Sequence, residues 1–336
     1  MSSYHKTLPT YDQLMLRQDA PPGSSWGLFG ENDQIGTLNL IDADSRLRGV
    51  AAAIQGKAFS LDLPSTAIYP SLAPTRKPIA HHIFQRNDFH HDEWLDNFYT
   101  QYGSQIDGLR HIGHPQYGFY NGYDHSQFKP GTETLSIHHF AALPIATRGV
   151  LIDVQRYMAK QGMPLDQSTG QAISIDTIEA ARLSQNVEIL PGDAVVLRFG
   201  WLNYYLNQTN IATRDKLVTE QFHPGLEQSN KALSWLWDNR ISLIAADNFA
   251  LECWPAKSDS PFFTPGEMSQ KECSVHAGIM HRAIIPLLGM PIGELWAIDK
   301  LAEACAEDNR YTFLLTASPL PIVGGVGSPA NAIAIR

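Results

Sequence analysis

Short apolar runs alternate with helix-like segments through the second half of the chain. Residues 149–153, 194–199 and 241–246 are continuous apolar runs that predict buried strands. Between them, apolar residues recur at helical spacing in 174–183 and 224–238. This alternation of strands and helices predicts an α/β protein.

The flanking regions add shorter elements and show no division into two domains. A helix is expected at 44–55, with Asp44 as its cap and Gly56 at its end. Further expected elements are strands at 58–63, 79–84, 311–317 and 332–335 and a helix at 298–305. Proline and glycine before residue 26 predict a surface segment over 1–25. Because no linker or repeat follows, residues 26–336 are expected to form a single domain.

Histidines are concentrated in a polar region without clear periodicity. Nine of the 13 histidines lie between His81 and His139, and residues 86–129 are expected to form ordered loops and short strands. Within this region, Gln105 and Asp107 point to the same face if the segment is extended, because side chains alternate along a strand. Gln101 and His111 can join that face if the chain turns at the intervening glycines. Two amides, a carboxylate and an imidazole suit a cation, with His111 as ligand or base.

Composition and charge exclude several classes of function. The net charge of −9 argues against a nucleic-acid partner, and no apolar stretch approaches the length of a membrane span. The N-terminus does not have the pattern of a signal peptide. Cys253, Cys273 and Cys305 form no CxxC pair, which excludes zinc bound by thiolates and indicates reduced thiols in the cytoplasm. GxSxG, P-loop and HExxH motifs are absent, and the glycines at 324–327 precede the last strand instead of opening a helix.

The segment Gln101-Tyr-Gly-Ser-Gln-Ile-Asp-Gly-Leu-Arg-His111 resembles a known signature. It is similar to His-x-Gly-Thr-His-x-Asp-x-x-x-His of the cyclase family of metal-dependent hydrolases, which includes bacterial kynurenine formamidase and isatin hydrolase. Gly103, Asp107 and His111 match, whereas Gln101 and Gln105 stand where the family has histidines. Further likeness runs to the C-terminus through 26–39, 149–153, 190–193, 281–295 and 324–329.

The resemblance implies a swivelling β/β/α fold with a mostly parallel central sheet, flanking helices and an additional β layer. It implies Gln101, Gln105 and Asp107 at a first metal position, with His281 and Glu294 completing a second. His111 would serve in acid–base catalysis. Amide oxygens bind zinc less well than imidazole does, so manganese is expected in preference to zinc. The alternatives are a metal held mainly by Asp107, His111, His281 and Glu294, or no metal at all. Family members are commonly homodimers or higher oligomers.

The leading hypothesis is metal-dependent hydrolysis of a carbonyl–nitrogen or carbonyl–oxygen bond in a small cyclic or aryl amide, imide or lactone. A bound ion would activate water, and His111 would accept its proton. Five aromatic residues are candidates for the wall of a substrate pocket: Trp26, Phe29, Tyr99, Tyr102 and Tyr120. The first alternative is a metal-free cyclase, lyase or isomerase that uses Asp107 and His111 as an acid–base pair. The second is an inactive protein that binds a small molecule.

Two further acids follow the run at 241–246. Asp247 and Glu252 are expected at surface or cap positions, and the sequence leaves open whether either faces the site. It also leaves the substrate open.

Overall fold

The computed structural model describes residues 7–268, 274 and 276–336. Its strands are β1 (Ala58–Ser60), β2 (Ala80–Asn87), β3 (His90–Asp96), β4 (Gln105–Asp107), β5 (Ile145–Asp153), β6 (Ala172–Ile173), β7 (Ala194–Arg198), β8 (Gly225–Leu226), β9 (Leu243–Ala246), β10 (Ile292–Glu294), β11 (Thr312–Ala317), β12 (Gly327–Pro329) and β13 (Ala332–Ile335). Its α-helices are α1 (Tyr11–Met15), α2 (Ala43–Ala52), α3 (His138–Ala142), α4 (Val154–Lys160), α5 (Ile175–Ser184), α6 (Trp201–Leu206), α7 (Ile211–Glu220), α8 (Asn230–Asp238), α9 (Pro265–Met268), α10 (His281–Ile284) and α11 (Asp299–Asp308). Short 3₁₀ helices occupy Gly36–Leu40, Tyr120–Gly122 and His125–Gln127.

Nine strands form the central sheet, in the order β1-β13-β11-β5-β7-β9-β10-β4-β12. The pairs β5–β7, β7–β9 and β9–β10 are parallel, and the remaining neighbours are antiparallel. The predicted α/β class is confirmed, but the sheet is mixed instead of mostly parallel. Apolar runs identified the buried parallel centre, whereas three-residue strands such as β4, β10 and β12 leave no periodicity from which their direction can be deduced.

The predicted helices are present, with some different starting points. Asp42, not Asp44, caps α2, because its carboxylate accepts the N–H of Ser45 in a capping box. The helix predicted from residue 224 begins only at Asn230, where the side chain of Ser229 caps α8. The preceding β8 instead pairs with β6 in a two-stranded sheet. Local capping therefore decided the boundaries.

The N-terminal segment contributes to the core. Tyr11 and Leu14 of α1 are buried, and the backbone N–H of Tyr11 donates to Asp238 of α8. The segment before residue 26 is therefore anchored to the core by buried side chains, although other parts of it lie on the surface.

A second two-stranded sheet lies outside the central one. Strands β2 and β3 form a hairpin with apolar side chains exposed on it, including Ile83, Phe84 and Trp94. Among the described residues, no helix is both long and apolar enough to cross a membrane.

Candidate metal centre and cavity

Strands β4 and β10 place the acidic side chains of the site. In their antiparallel register Gln105 lies opposite Glu294, and Asp107 lies opposite Ile292. Opposite residues of a pair share one face of the sheet, so Gln105 and Glu294 come into contact. The amide nitrogen Nε2 of Gln105 donates to Oε2 of Glu294 at 2.5 Å.

Asp107 is fully buried and lies at the centre of a cluster. The amide nitrogen of Gln101 donates a hydrogen bond to Oδ1 of Asp107. The same nitrogen lies 3.1 Å from Nδ1 of His111, and Nε2 of His111 lies 3.8 Å from Oδ2 of Asp107. The predicted convergence of Gln101, Gln105, Asp107 and His111 is therefore present in the structure.

His281 joins this cluster from helix α10. Its Nε2 lies 3.0 Å from Oε1 of Glu294 and 3.9 Å from Oδ2 of Asp107. Asp107, His281 and Glu294 are all buried, and one potential ligand atom from each lies within 4.8 Å of the others. The structure thus brings together three of the five residues proposed for metal binding through atoms that can act as ligands, and Gln105 joins them through its hydrogen bond to Glu294.

Gln101, the fifth residue, directs its amide nitrogen and not its amide oxygen toward Asp107. An ionised carboxylate accepts hydrogen bonds and does not donate them, so the amide group facing Asp107 has to be the NH₂ group. Gln101 therefore supports Asp107 as a hydrogen-bond donor, whereas the sequence alone placed it among the metal ligands. Its backbone is held by Arg76, which donates to its carbonyl oxygen.

The orientation of Gln101 also defines the protonation of His111. Because the amide donates to Nδ1 of His111, a neutral ring carries its proton on Nε2. His111 therefore acts as a hydrogen-bond donor through Nε2 in this arrangement. The resemblance implied that His111 accepts a proton as a base. This geometry instead favours His111 as a hydrogen-bond donor.

The residues of the cluster fit a divalent cation. Oδ2 of Asp107 and Oε1 of Gln105 are buried, and within the described part of the chain neither has a hydrogen-bond partner. Buried polar atoms are almost always paired, because an unpaired one forfeits its hydration. One oxygen each from Asp107, Glu294 and Gln105, with one imidazole nitrogen from His281, would form a donor set typical of manganese or another cation that prefers oxygen ligands.

Burial dominates the electrostatics of Asp107. Desolvation raises the pKa of its carboxyl group, and the nearby Glu294 raises it further, against the opposing effects of His111 and His281. Desolvation would lower the pKa of His281, but hydrogen bonds to Glu252 and Glu294 outweigh it and raise that pKa to about 10.

Glu252 is a site residue that the sequence left undecided. It is buried after β9, and its Oε1 lies 2.7 Å from Nδ1 of His281. The expectation of a surface position is wrong for Glu252 and also for Asp247. Asp247 is buried and accepts the backbone N–H groups of Phe199 and Gly200. A signal was present, since acids that follow buried parallel strands lie at the edge where α/β proteins place their sites.

A small cavity of about 70 Å³ opens beside the cluster. Gln105, His111, His281 and Glu294 line it together with residues that the sequence did not single out: Arg76, Ile112, Phe249, Ala250, Trp254, His276 and Ile279. No periodic pattern connects these residues, because they come from loops far apart in the chain.

The five aromatic residues proposed for the pocket wall do not line this cavity. Tyr120 is buried in the core with its hydroxyl donating to Asp33, and Phe29 packs edge-on against Trp237. Trp26 donates to the carbonyl of Pro286. Tyr99 and Tyr102 instead line a separate cavity of about 270 Å³.

The fold and the buried Asp–His–Glu group together define an α/β protein with a candidate metal centre. The model of the family described as putative cyclase matches residues 60–253, more than half of the chain. The protein belongs to this cyclase family. A search of curated proteins finds no match.

Solved structures agree with this assignment. A structure described as a novel cyclase is 29% identical, covers 93% of this chain and 97% of its own, and has a TM-score of 0.78. An isatin hydrolase bound to the product analogue thioisatinate is 17% identical, with coverages of 88% and 99% and a TM-score of 0.52. Isatin hydrolase A from Labrenzia aggregata, bound to benzyl benzoate, is 14% identical, with coverages of 86% and 98% and a TM-score of 0.53. The cyclase-type α/β fold implied by the resemblance is confirmed, with a mixed sheet.

Proposed function

We propose that the protein is a metal-dependent hydrolase of a carbonyl–nitrogen or carbonyl–oxygen bond in a small cyclic or aryl amide, imide or lactone. The observation that carries the proposal is the pair of buried oxygens without a partner in the described structure, Oδ2 of Asp107 and Oε1 of Gln105. Oδ2 of Asp107 lies 3.9 Å from Nε2 of His281, and Gln105 is hydrogen-bonded to Glu294. Membership of the cyclase family supports an enzyme.

Asp107, His281, Glu294 and the amide oxygen of Gln105 would hold the cation. When bound, a divalent cation would polarise the substrate carbonyl and lower the pKa of water. We expect manganese in preference to zinc, because three of these four donors are oxygens.

The chain's own residues supply a hydrogen-bond donor and an apolar wall for the substrate. Nε2–H of His111 donates to the substrate carbonyl oxygen as negative charge develops there. One proton of the attacking water passes to the leaving nitrogen or oxygen, and Asp107, as a ligand of the cation, would orient that water. The water oxygen becomes bonded to the acyl carbon as the bond to the leaving atom breaks. Ile112, Phe249 and Trp254 provide an apolar wall for the substrate.

A metal-free acid–base enzyme is the second candidate, and one observation favours it. His281 is paired with both Glu252 and Glu294, and its pKa of about 10 keeps it protonated at neutral pH. A positively charged imidazole could thus balance the buried carboxylates without a cation. Asp107 and His111 would then act as the acid–base pair of a cyclase, lyase or isomerase.

Elemental analysis of protein purified without added metal tests the proposal. We expect a near-stoichiometric divalent ion in the wild type, its loss in Asp107→Ala, and its retention in the exposed control Asp88→Ala. Acid release in a pH-stat follows hydrolysis of isatin, formanilide, phthalimide and dihydrocoumarin, which represent a cyclic amide, an aryl amide, an imide and a lactone.

Each alternative has its own outcome in the same experiment. Absence of metal, with turnover lost in both Asp107→Asn and His111→Ala, would establish the metal-free enzyme. Ligand binding without turnover in the metal-loaded wild type would indicate an inactive binding protein, the remaining alternative.

We further propose that residues 26–336 act as one catalytic domain and that the chain forms a homodimer or higher homo-oligomer around small-molecule sites. Sedimentation analysis of the full chain tests the oligomeric state.

A further inference from the structure

Charges around the site cavity are distributed unevenly. Glu294 is the carboxylate that lines it, and Asp107 and Glu252 are buried nearby. Four basic side chains line the cavity as well: Arg76, His111, His276 and His281, of which His281 is paired with Glu252 and Glu294. Desolvation, followed by repulsion from His281, His111, Arg282 and Arg76, lowers the pKa of His276, which is consistent with this crowding of positive groups.

Arg76 is fixed at the cavity but is not neutralised. Its Nη1 donates to the carbonyl oxygen of Gln101, and no carboxylate among the described residues forms an ion pair with it. Arg282 and Arg198, by contrast, are paired with Glu267 and Asp299, each at 2.6 Å. Arg110 and Arg214 also have no carboxylate partner in the described structure, but backbone carbonyls occupy several of their donors, whereas Arg76 has one such bond. A guanidinium group has more donors than the single bond to Gln101 uses, so Arg76 retains hydrogen-bonding capacity for a ligand.

The rest of the lining is apolar. Ile112, Phe249, Ala250, Trp254 and Ile279 contribute hydrocarbon and aromatic surface to the same cavity. A ligand that suits all of the lining therefore has a compact apolar body and one anionic group. A guanidinium group recognises a carboxylate by paired, charge-assisted hydrogen bonds.

We propose that the cavity takes substrates that carry a carboxylate on a small apolar or aromatic body, and that Arg76 is the residue that selects for that carboxylate. This inference rests on the proposed hydrolase and narrows its substrates to acidic amides, imides or lactones. Arg76 touches the backbone of Gln101, whose side chain contacts Asp107 and His111. The carboxylate of the substrate is therefore held close to the bond that is cleaved.

Binding of two isosteric probes tests the selection without requiring turnover. Calorimetric titration of the manganese-loaded protein with benzoate and with benzamide should show tighter binding of benzoate, by roughly 10- to 100-fold. In Arg76→Gln this preference should disappear while benzamide binding stays within about twofold. Arg76→Lys should keep part of the preference, and the control Lys77→Gln, at the exposed neighbouring residue, should keep all of it.

The same titrations separate a role in selection from a merely structural one. The affinity of Arg76→Gln for manganese should stay within about twofold of wild type, because the hydrogen bond of the guanidinium within the described structure goes to the backbone carbonyl of Gln101 and not to a proposed metal ligand. A benzoate preference that is equal in wild type and Arg76→Gln would overturn the inference, since the carboxylate would then be bound by the metal centre alone. No preference in the wild type would overturn it as well.

A hydrolysis measurement distinguishes this inference from the proposed function. If 2-formamidobenzoate and formanilide are hydrolysed equally well by wild type and by Arg76→Gln, the selection by Arg76 is refuted and the hydrolase remains. If neither amide is hydrolysed but the benzoate preference depends on Arg76, the selection of carboxylate ligands by Arg76 is supported and the proposed hydrolase is refuted.

Discussion

Glu252 holds His281 in position through three hydrogen bonds. Its Oε1 lies 2.7 Å from Nδ1 of His281 and accepts the backbone N–H of the same residue at 3.0 Å. Its Oε2 accepts the N–H of Met280 at 2.7 Å. The ring therefore directs Nε2 toward Glu294 and Asp107, which is the arrangement that metal-binding histidines commonly receive from a supporting carboxylate.

Replacing this carboxylate should weaken metal binding without unfolding the protein. In Glu252→Gln the amide oxygen can still accept a backbone N–H, but the amide NH₂ can donate to Nδ1 and move the proton of His281 to Nε2. We expect the affinity for manganese to fall by roughly 10- to 100-fold. Titration calorimetry measures the affinity, and thermal unfolding checks the fold. Glu303→Gln, at an exposed position of α11, is the control, and an unchanged affinity in Glu252→Gln would contradict the role of Glu252.

The donor set predicts a specific response to metal exchange. Chelator should inactivate the enzyme, and manganese should restore turnover better than zinc, because carboxylate and amide oxygens suit the harder ion. Gln105→His replaces an amide oxygen by an imidazole and should shift the preference toward zinc. Activity of the stripped protein against added metal gives both results. Restoration of the wild type by zinc alone would refute the oxygen-rich site.

The sequence predicted the parts of this site that one strand brings together. Alternation along a strand places Gln105 and Asp107 on one face, and the turn after Asp107 brings in His111. The central strands of the sheet, β5, β7 and β9, were likewise predicted from apolar runs. The orientation of Gln101 was not predictable, because it depends on which end of an amide meets an ionised Asp107. The cavity wall was also beyond prediction, since Arg76, Phe249, Trp254 and His276 converge only through tertiary contacts between loops.

His111 should matter for turnover and not for metal content. The ring contacts Gln101 at Nδ1, and its Nε2 lies 3.8 Å from Asp107, outside hydrogen-bond range. His111→Ala removes the proposed donor and should lower kcat by roughly 10²- to 10³-fold. Steady-state kinetics and elemental analysis of the same preparations provide the two measurements. His114→Ala is the control, because that ring stacks on Tyr117 away from the cavity. Loss of metal in His111→Ala would instead assign the imidazole to the metal.

A buried histidine behind the cavity should make the fold sensitive to acid. His223 is packed among Trp201, Phe249 and Trp254, and burial lowers its pKa from 6.5 to about 3. Between these two values the unfolded chain binds a proton that the folded chain does not. The free energy of unfolding therefore contains a contribution that is fully present above pH 6.5 and is lost as the pH falls toward 3.

Replacing His223 should remove this pH dependence even if it lowers stability overall. From pH 8 to pH 5 the wild type should lose about 2 kcal/mol more than His223→Gln, because one proton is taken up over about 1.5 pH units below 6.5. Asp247, whose pKa burial raises to about 7, has the opposite dependence, but it is present in both proteins and cancels in the comparison. Urea unfolding at the two pH values measures the difference, with His125→Gln at an exposed ring as the control. Parallel pH profiles for wild type and His223→Gln would mean that His223 is protonated in the folded protein or does not lie in this apolar environment.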